Sequence, residues 1–512
     1  MSPSAKATAV TETPADAGRN IVICCDGTGN QVTGNLSNVL KLFRIAVKDE
    51  GQHVWYHPGV GTIGMDSAWE RLRVQFKAVF GLTTGYGLDD DILRAYCFLA
   101  RTYRPGDRVY LFGFSRGAYT VRALAAFIHM IGLLRPDQVD LAAYALTTYK
   151  RAGWQSEDAY DAAKRRGTDL PAPAAPAGAS AGGARSYPAG FVAAWDFGKV
   201  TGTRRVPIHF LGVWDTVSSV IVPGASPLSL PRMRTLPYTR FNPSVRAFRH
   251  AIAIDERRRM FRLNSWKDGQ TYVVDPFAHP PVTQPQDCAQ LRFAGVHSDI
   301  GGGYPEAESG LAKIPLIWMI KEAVKNGLRI DDAAFRRIAL GEDPKYAKPD
   351  PLGPLHNSLT LGWWPLEVLP KSAKWREWRR WSVLGWYLPL GEPRVVVQAD
   401  PLHPAVVERQ QRATDPRYDP VNLREPRHGW TPPEGWFGPF ARKVLGAIVV
   451  AAILVALLWA GRCWWEHRHH RHRHHHEHPN CMPVETMTAS AGPAAARWVC
   501  SEAPPGLLPP RG

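Results

Sequence analysis

The chain has 512 residues, of which 45% are hydrophobic, and its formal net charge is +16. The apolar fraction is ordinary for a globular protein, and a chain of this length can form its core without disulfides or structural metals. Seven cysteines without a CxxC spacing exclude a disulfide framework and the usual zinc-finger type of metal site.

The positive charge predicts attraction to anionic partners. No nucleic-acid-binding motif is recognisable, and the 19 tryptophans accompany many arginines and lysines, as they do where proteins meet a membrane interface. We therefore expect anionic lipid as a partner and no nucleic acid.

The first nineteen residues lack the apolar segment of a secretory signal and are expected to form a disordered leader. A folded domain is predicted from Asn20 to Ile330. It begins with an apolar, strand-like run, Ile21–Cys25, followed by the glycine-containing loop Asp26–Asn30. This loop matches neither a Walker A motif nor a dinucleotide-binding motif, so we expect no nucleotide cofactor there.

The most informative segment is Arg108–Ile128. A run of β-forming residues leads into Gly113-Phe-Ser115-Arg-Gly117, and apolar residues at helical spacing follow at once. Strand, G-x-S-x-G and helix in this order are typical of a nucleophile elbow, in which glycines let strand and helix approach closely. Ser115 is therefore predicted to be a catalytic nucleophile.

Residues 170–190, built largely of Pro, Ala, Gly and Ser, are expected to form an exposed low-complexity insertion.

A nucleophilic serine needs an imidazole to take its proton and a carboxylate to orient that imidazole. Two strand-like runs downstream end in such groups, the first in Asp215 and the second in His297. The order Ser, acid, His is that of α/β hydrolases. Asp255 and Asp299 are alternatives for the acid, although we expect Asp255 to pair with nearby arginines.

An oxyanion hole requires two N–H donors. One is predicted to be the backbone N–H of Arg116, directly after the nucleophile, and the second that of Gly27 or Thr28 in the loop after the first strand. Asp26 is expected to point away from the oxyanion hole, where it either caps a turn or holds a cation, and we assign no metal ligand in this site.

The segment 331–440 is rich in Trp and Arg and is expected to extend the hydrolase domain. Trp375, Trp378 and Trp381 recur at a spacing that would place them near one helical face. Such a face could lie on anionic lipid or pack against the core of the domain, and the sequence leaves both open.

Residues 444–461 include an uncharged apolar run flanked by cationic and Trp residues, which predicts a single transmembrane helix. The polar tail 462–512 contains a His-rich stretch, interpreted as a solvated basic segment rather than a metal site. Because no signal peptide precedes the large N-terminal domain, we expect that domain in the cytoplasm and the tail, with Cys481 and Cys500, across the membrane. The cationic residues after the apolar run outnumber those before it, which by the positive-inside rule favours a cytoplasmic tail. A hairpin or a peripheral attachment with both ends in the cytoplasm is therefore the alternative.

Four motifs in order resemble one family: CDGTGN from Cys25, GFSRGAYTVR from Gly113, FLGVWDTV from Phe210 and FAGVHSDIGGGY from Phe293. They are similar to an uncharacterised α/β-hydrolase family of bacteria and fungi that includes type VI secretion phospholipase effectors. The resemblance covers roughly residues 20–330, with a later match around HPAVVERQ, from His403, and YDPVNL, from Tyr418. It implies a mostly parallel sheet with helices on both faces, the triad Ser115, Asp215 and His297, and cleavage of phospholipid acyl esters.

The resulting expectation is a membrane-anchored serine hydrolase that cleaves carboxylic esters, with phospholipid acyl esters as the expected substrates, and that needs no cofactor. A secretion-system or immunity partner is compatible with the resemblance, although a resident anchor is unusual for an effector delivered into another cell. The alternatives are a catalytically silent scaffold of the same fold and an esterase or thioesterase with a soluble substrate.

Overall fold

A computed structural model describes residues 18–27, 35–59, 87–152, 189–217, 220–222, 232–234, 236–275, 278, 281–373, 376–378, 382, 385–396, 400–424, 481–483 and 498–500. The chain divides into two compact units, Met1–Thr431 and Pro432–Gly512. The predicted leader, low-complexity insertion, transmembrane segment and His-rich stretch lie outside or almost wholly outside the described residues. Within the described ranges, no helix combines the length and the apolarity needed to cross a membrane.

The first unit is built on a six-stranded sheet in which every neighbouring pair is parallel, in the order β2-β1-β3-β4-β7-β10. The strands of this sheet are β1 (Asn20–Cys25), β2 (Gln52–His57), β3 (Arg108–Phe114), β4 (Ile208–Trp214), β7 (Val245–Ala253) and β10 (Asp287–Phe293). Shorter strands form two-stranded antiparallel sheets: β5 (Val220–Val222) with β6 (Arg232–Arg234), β8 (Thr271–Asp275) with β9 (Val282–Pro285), and β11 (Lys371–Ser372) with β12 (Trp386–Tyr387).

The helices of the described part of this unit are Asn38–Ile45, Leu88–Thr102, Arg116–Ile131, 142–152, Ala189–Thr201, His297–Gly301, Gly310–Lys325, Asp332–Ile338, Trp364–Val368, Pro404–Arg412 and Val421–Arg424. The segments Pro136–Leu141, Arg259–Phe261, Glu306–Glu308 and Leu361–Trp363 are short 3-10 turns.

The central strands are covered on both faces. Ile21 and Ile23 of β1 belong to a core that includes the helices Leu88–Thr102 and Arg116–Ile131. Val22 and Cys24 point to the opposite face, where the helices Asn38–Ile45 and Gly310–Lys325 pack. Strands buried on both sides are continuous apolar runs, which is why β1 and β3 were recognisable in the sequence. The predicted α/β architecture, a mostly parallel sheet with helices on both faces, is confirmed.

The segment after Ile330 packs against the sheet domain. Arg292 at the end of β10 forms an ion pair with Asp400 at 2.7 Å, and the backbone around Arg292 and Leu402 forms a parallel bridge. Trp378 is almost completely buried, and its Nε1–H donates to the Pro393 carbonyl at 2.5 Å. Residues 376–378 are not helical. Of the two alternatives for the Trp-rich segment, Trp378 therefore follows packing within the protein rather than a helical face on lipid.

In the second unit the described residues form one antiparallel pair, β13 (Cys481–Pro483) with β14 (Trp498–Cys500). The backbone register places Cys481 opposite Cys500.

Candidate active site

Ser115 lies in the turn between β3 and the helix Arg116–Ile131. Its backbone has φ 56° and ψ −119°, a conformation that side-chain-bearing residues rarely adopt. The neighbouring glycines make the turn possible. A Cβ on Gly113 would approach the Gly117 carbonyl oxygen to 2.4 Å, and one on Gly117 would approach the Cys25 carbonyl oxygen to 2.1 Å. These contacts explain why the serine is flanked by glycines two residues away on either side.

Asp215 follows the last residue of β4, so it emerges at the same edge of the parallel sheet as Ser115. Its side chain is completely buried, and its φ is 38°. Oδ1 accepts a hydrogen bond from the Ala253 N–H at 3.0 Å, which ties the carboxylate to the end of β7. Asp215 is therefore held rigidly where the strands end.

His297 begins a short helix just beyond β10 and is 4% exposed. Its Nδ1 lies 2.5 Å from Asp215 Oδ2, and its ring packs against Phe114 and Phe261, with centroids 4.6 Å and 4.8 Å away. Because Nδ1 donates to the carboxylate, Nε2 is the nitrogen left to accept a proton.

Phe114, whose ring packs on the imidazole, immediately precedes Ser115 in the sequence, so His297 lies near the turn that carries this serine. Nε2 of His297 has no hydrogen-bond partner among the described residues, and the Ser115–His297 hydrogen bond is thus not closed in this structure. Such bonds are often long until substrate binds.

The charges at the site suit proton transfer. Burial by itself would raise the pKa of the Asp215 carboxyl, but the Arg394 guanidinium and the hydrogen bond with His297 hold it well below its usual range. Burial lowers the pKa of His297 below its ordinary value of 6.5, although Asp215 acts in the opposite direction. At neutral pH an ionised carboxylate therefore faces a neutral imidazole, the state that a general base requires.

The three predicted oxyanion donors differ in whether their N–H groups are available. The N–H of Arg116 lies in the first turn of the helix after Ser115, where N–H groups are directed out of the helix end. The N–H of Gly27 donates to Asp26 Oδ1 at 2.7 Å, so it already has an acceptor. Thr28 lies outside the described residues.

The Asp26 carboxylate also accepts hydrogen bonds from the hydroxyls of Ser37 and Tyr56, the second at 2.9 Å. These contacts tie the loop after β1 to its surroundings. In the described ranges there is no group of three or more His, Cys, Asp or Glu side chains that could hold a metal ion.

The competing acids have other partners. Asp255 Oδ2 accepts from the Gly295 N–H at 2.7 Å and from the Tyr418 hydroxyl at 2.9 Å, rather than from the arginines that follow it in the sequence. Asp299 is joined to His356 Nδ1 at 2.6 Å. Neither hydrogen-bonds to His297, whose carboxylate partner is Asp215.

Sequence reasoning missed two buried groups at this site. Arg394 binds the Asp215 carboxylate through both terminal nitrogens, at 2.5 Å and 3.0 Å. Glu256 Oε2 accepts from the His297 N–H at 3.2 Å and fixes the start of its helix. A signal existed for Glu256, which follows β7 at the same sheet edge, but none distinguished Arg394 from the other arginines of its segment.

The chain is similar in sequence to a yeast protein. The chain is 29% identical over 441 residues to the uncharacterised protein YEL023C of Saccharomyces cerevisiae, an alignment covering 64% of this chain and 60% of that protein. The chain thus spans less than two thirds of the length of this relative.

Two solved structures are also similar. An uncharacterised protein from Pseudomonas aeruginosa has 18% identity and a TM-score of 0.31, with 62% of this chain and 47% of that one covered. The Tle1 effector bound to the VgrG spike of the type VI secretion system has 19% identity and a TM-score of 0.28, with coverages of 61% and 57%.

A family model supplies the assignment. The model described as the catalytic domain of Tle1-like phospholipase effectors of the type VI secretion system matches residues 19–322, more than half of the chain and the part that carries Ser115, Asp215 and His297. The chain therefore belongs to the Tle1-like phospholipase effector family.

Proposed function

We propose that the protein is a serine hydrolase that cleaves acyl esters of phospholipids through Ser115, His297 and Asp215. The observation that carries this proposal is the buried His297–Asp215 pair, with 2.5 Å between Nδ1 and Oδ2, at the sheet edge where Ser115 occupies a strained strand-to-helix turn. Strained backbone at Ser115 and Asp215 supports a functional role, because residues held in sparsely populated conformations cluster at active sites.

In the proposed mechanism, Ser115 Oγ attacks the ester carbonyl carbon while His297 Nε2 takes the hydroxyl proton. Asp215 stabilises the imidazolium that forms, and the Arg116 N–H donates to the oxyanion. Thr28 is the second proposed donor, because the N–H of Gly27 already donates to Asp26. His297 then gives the proton to the departing alcohol oxygen, leaving an acyl-serine. His297 then takes a proton from a water whose oxygen attacks the acyl carbon, and returns that proton to Ser115 Oγ as the acyl–serine bond breaks and the fatty acid leaves.

The phospholipid assignment is supported by the description of the family and by the net charge of +16, which favours anionic lipid surfaces. The test is release of fatty acid from phosphatidylglycerol vesicles, compared with hydrolysis of the soluble ester p-nitrophenyl butyrate, each with a Ser115→Ala control. Serine-dependent release from vesicles is expected. Turnover of the soluble ester alone would exclude the lipid substrate, and turnover of neither would favour a silent scaffold.

The activity should depend on pH through His297. A protonated imidazole cannot act as a base, so kcat/KM should fall as the pH falls through the pKa of His297. Since burial lowers the pKa of His297, the midpoint of this acid limb is expected below pH 6.5. The pH profile of kcat/KM for p-nitrophenyl butyrate measures it. A midpoint above pH 6.5 would contradict the environment described for this histidine.

We further propose that residues 444–461 tether the enzyme to a membrane, with the hydrolase domain cytoplasmic and the tail on the other side. The support is the uncharged apolar run in this segment and the cationic and Trp residues that flank it. After reduction, a membrane-impermeant maleimide should label Cys481 and Cys500 in intact spheroplasts. Labelling of these two cysteines only after lysis would reject this topology.

A further inference from the structure

Arg394 lies beyond the matched catalytic domain, which ends at residue 322, yet its side chain reaches the centre of the site. It is 4% exposed. Its two terminal nitrogens donate to the two oxygens of Asp215, at 2.5 Å and 3.0 Å, in the forked geometry by which arginine binds carboxylates. The same guanidinium donates to the Phe261 carbonyl at 2.5 Å, behind the ring that packs on His297.

The backbone around Arg394 is fixed by several side chains. Asn422 Nδ2 donates to the Arg394 carbonyl at 3.0 Å and to the Ile254 carbonyl at 2.9 Å, joining this segment to the end of β7. The Val395 N–H donates to Glu377 at 3.2 Å, and the Pro393 carbonyl accepts from Trp378. The guanidinium is therefore delivered to Asp215 by an anchored segment.

We propose that Arg394 is a positioning residue of the catalytic site, supplied by the C-terminal extension, which keeps Asp215 ionised and fixed in the orientation that aligns His297. This inference rests on the proposed hydrolase function. It assigns a part of the site to residues outside the matched catalytic domain, so the extension completes the catalytic machinery rather than merely covering it.

Asp215 needs a cation beside it because its carboxylate is completely buried. A fully buried carboxylate is costly unless it is paired and hydrogen-bonded, and His297 supplies no formal charge while it is neutral. Arg394 supplies the compensating cation. The same cation opposes protonation of the Asp215–His297 pair, so it extends the range of pH in which the imidazole is free to act as a base.

Other charged or titratable groups surround the Asp215–His297 pair, and they must be the same in the wild type and in the Arg394 variants. Glu256 and Arg258 form a buried ion pair at 2.9 Å beside His297, and Arg292, paired with Asp400, also interacts with Asp215. His250 is neutral, because burial lowers its pKa to about 3. None of these groups is altered in the variants below.

The test is the pH profile of kcat/KM for p-nitrophenyl butyrate, measured on the full chain with Arg394→Met and Arg394→Lys. Arg394→Met removes the cation, so the acid limb should move to higher pH by about one unit or more. Its kcat should fall on the order of 10²-fold, because His297 is less well aligned. Arg394→Lys keeps the charge, and its acid limb should stay near that of the wild type while kcat recovers in part.

Arg249→Met is the matched control. Arg249 is also buried and pairs with two carboxylates, Asp287 at 2.9 Å and Glu322 at 2.8 Å, but it contacts no member of the triad. The Arg249→Met substitution should lower the stability of the fold without moving the acid limb of the kcat/KM profile. If Arg394→Met does not fold, Arg394→Gln removes the same charge while retaining a donor and is expected to show the same displacement.

The pH dependence of Ser115 phosphonylation by a fluorophosphonate gives a second reading, because only folded protein reacts. If Ser115 of the wild type is labelled but the acid limb is unchanged in the charge-removing variants, the proposed role of Arg394 is overturned and the proposed hydrolase function is not. Absence of Ser115 labelling in the wild type would instead overturn the proposed function.

Discussion

Ser115→Ala is expected to lower kcat for ester hydrolysis by about 10⁶-fold, because the residues of a catalytic triad act as a unit and nothing else at this turn replaces the nucleophile. His297→Ala should cost a similar factor. The double variant should be no worse than either single variant, since each removes the same proton-coupled step. The measurement is kcat with p-nitrophenyl butyrate for the three variants, with circular dichroism to verify folding.

The expected lack of additivity is the sharper part of this prediction. Phe114, the residue before Ser115, packs on the imidazole ring of His297, which is consistent with both residues serving one step. Independent, multiplying effects of the two substitutions would show that Ser115 and His297 do not serve one reaction. Retention of most activity by Ser115→Ala would place the nucleophile elsewhere in the chain.

Asp215→Asn is expected to lower kcat on the order of 10⁴-fold, by analogy with other triads. An amide at this position can donate to Nδ1 of His297, which shifts the imidazole proton to Nε2, so that the base no longer has a lone pair directed at Ser115. The substitution also takes from the buried Arg394 guanidinium the carboxylate to which it is directly bonded, which should lower the free energy of unfolding by about 3–5 kcal/mol.

Two controls separate these effects. Asp215→Asn combined with Arg394→Met removes both members of the buried pair and should be more stable than Asp215→Asn alone, while remaining inactive. Asp255→Asn should reduce kcat far less, because Asp255 binds Gly295 and Tyr418 rather than the imidazole. If Asp255→Asn proves the more damaging of the two single substitutions, Asp215 is not the catalytic acid.

The central sheet was largely predictable because its strands are buried on both faces. β1, β3 and β4 are apolar runs that end directly before a polar or special residue: Asp26, Ser115 and Asp215. The edge strand β2, Gln52–His57, was not predicted, because its side chains are mostly only half-buried and its sequence is accordingly mixed.

The contact between Asp215 and His297 could be anticipated for the same reason. Both follow strands of one parallel sheet, and the carboxyl ends of such strands meet at one edge. Arg394 could not be anticipated, because it lies 179 residues from Asp215 in a segment without helical or strand periodicity. The contact of Arg394 with Asp215 depends on how the C-terminal extension folds back onto the sheet, and no local sequence pattern predicts that arrangement.

The Trp-rich segment shows the limit of composition as evidence. Trp beside Arg is typical both of membrane interfaces and of aromatic residues packed within a protein, and Trp378 takes the second role because its indole N–H finds the Pro393 carbonyl. Trp375 and Trp381 lie outside the described residues, as does the predicted span 444–461, so the lipid-facing role of those residues stays a prediction.

The most direct test of the account is covalent labelling of the full-length protein with a fluorophosphonate, followed by mass spectrometry of its peptides. The account predicts one phosphonyl group per molecule, on Ser115, absent from Ser115→Ala and strongly slowed in His297→Ala. A folded protein that takes up no label, or that carries the label on a different serine, would contradict the assignment of Ser115 as the nucleophile of an ester hydrolase.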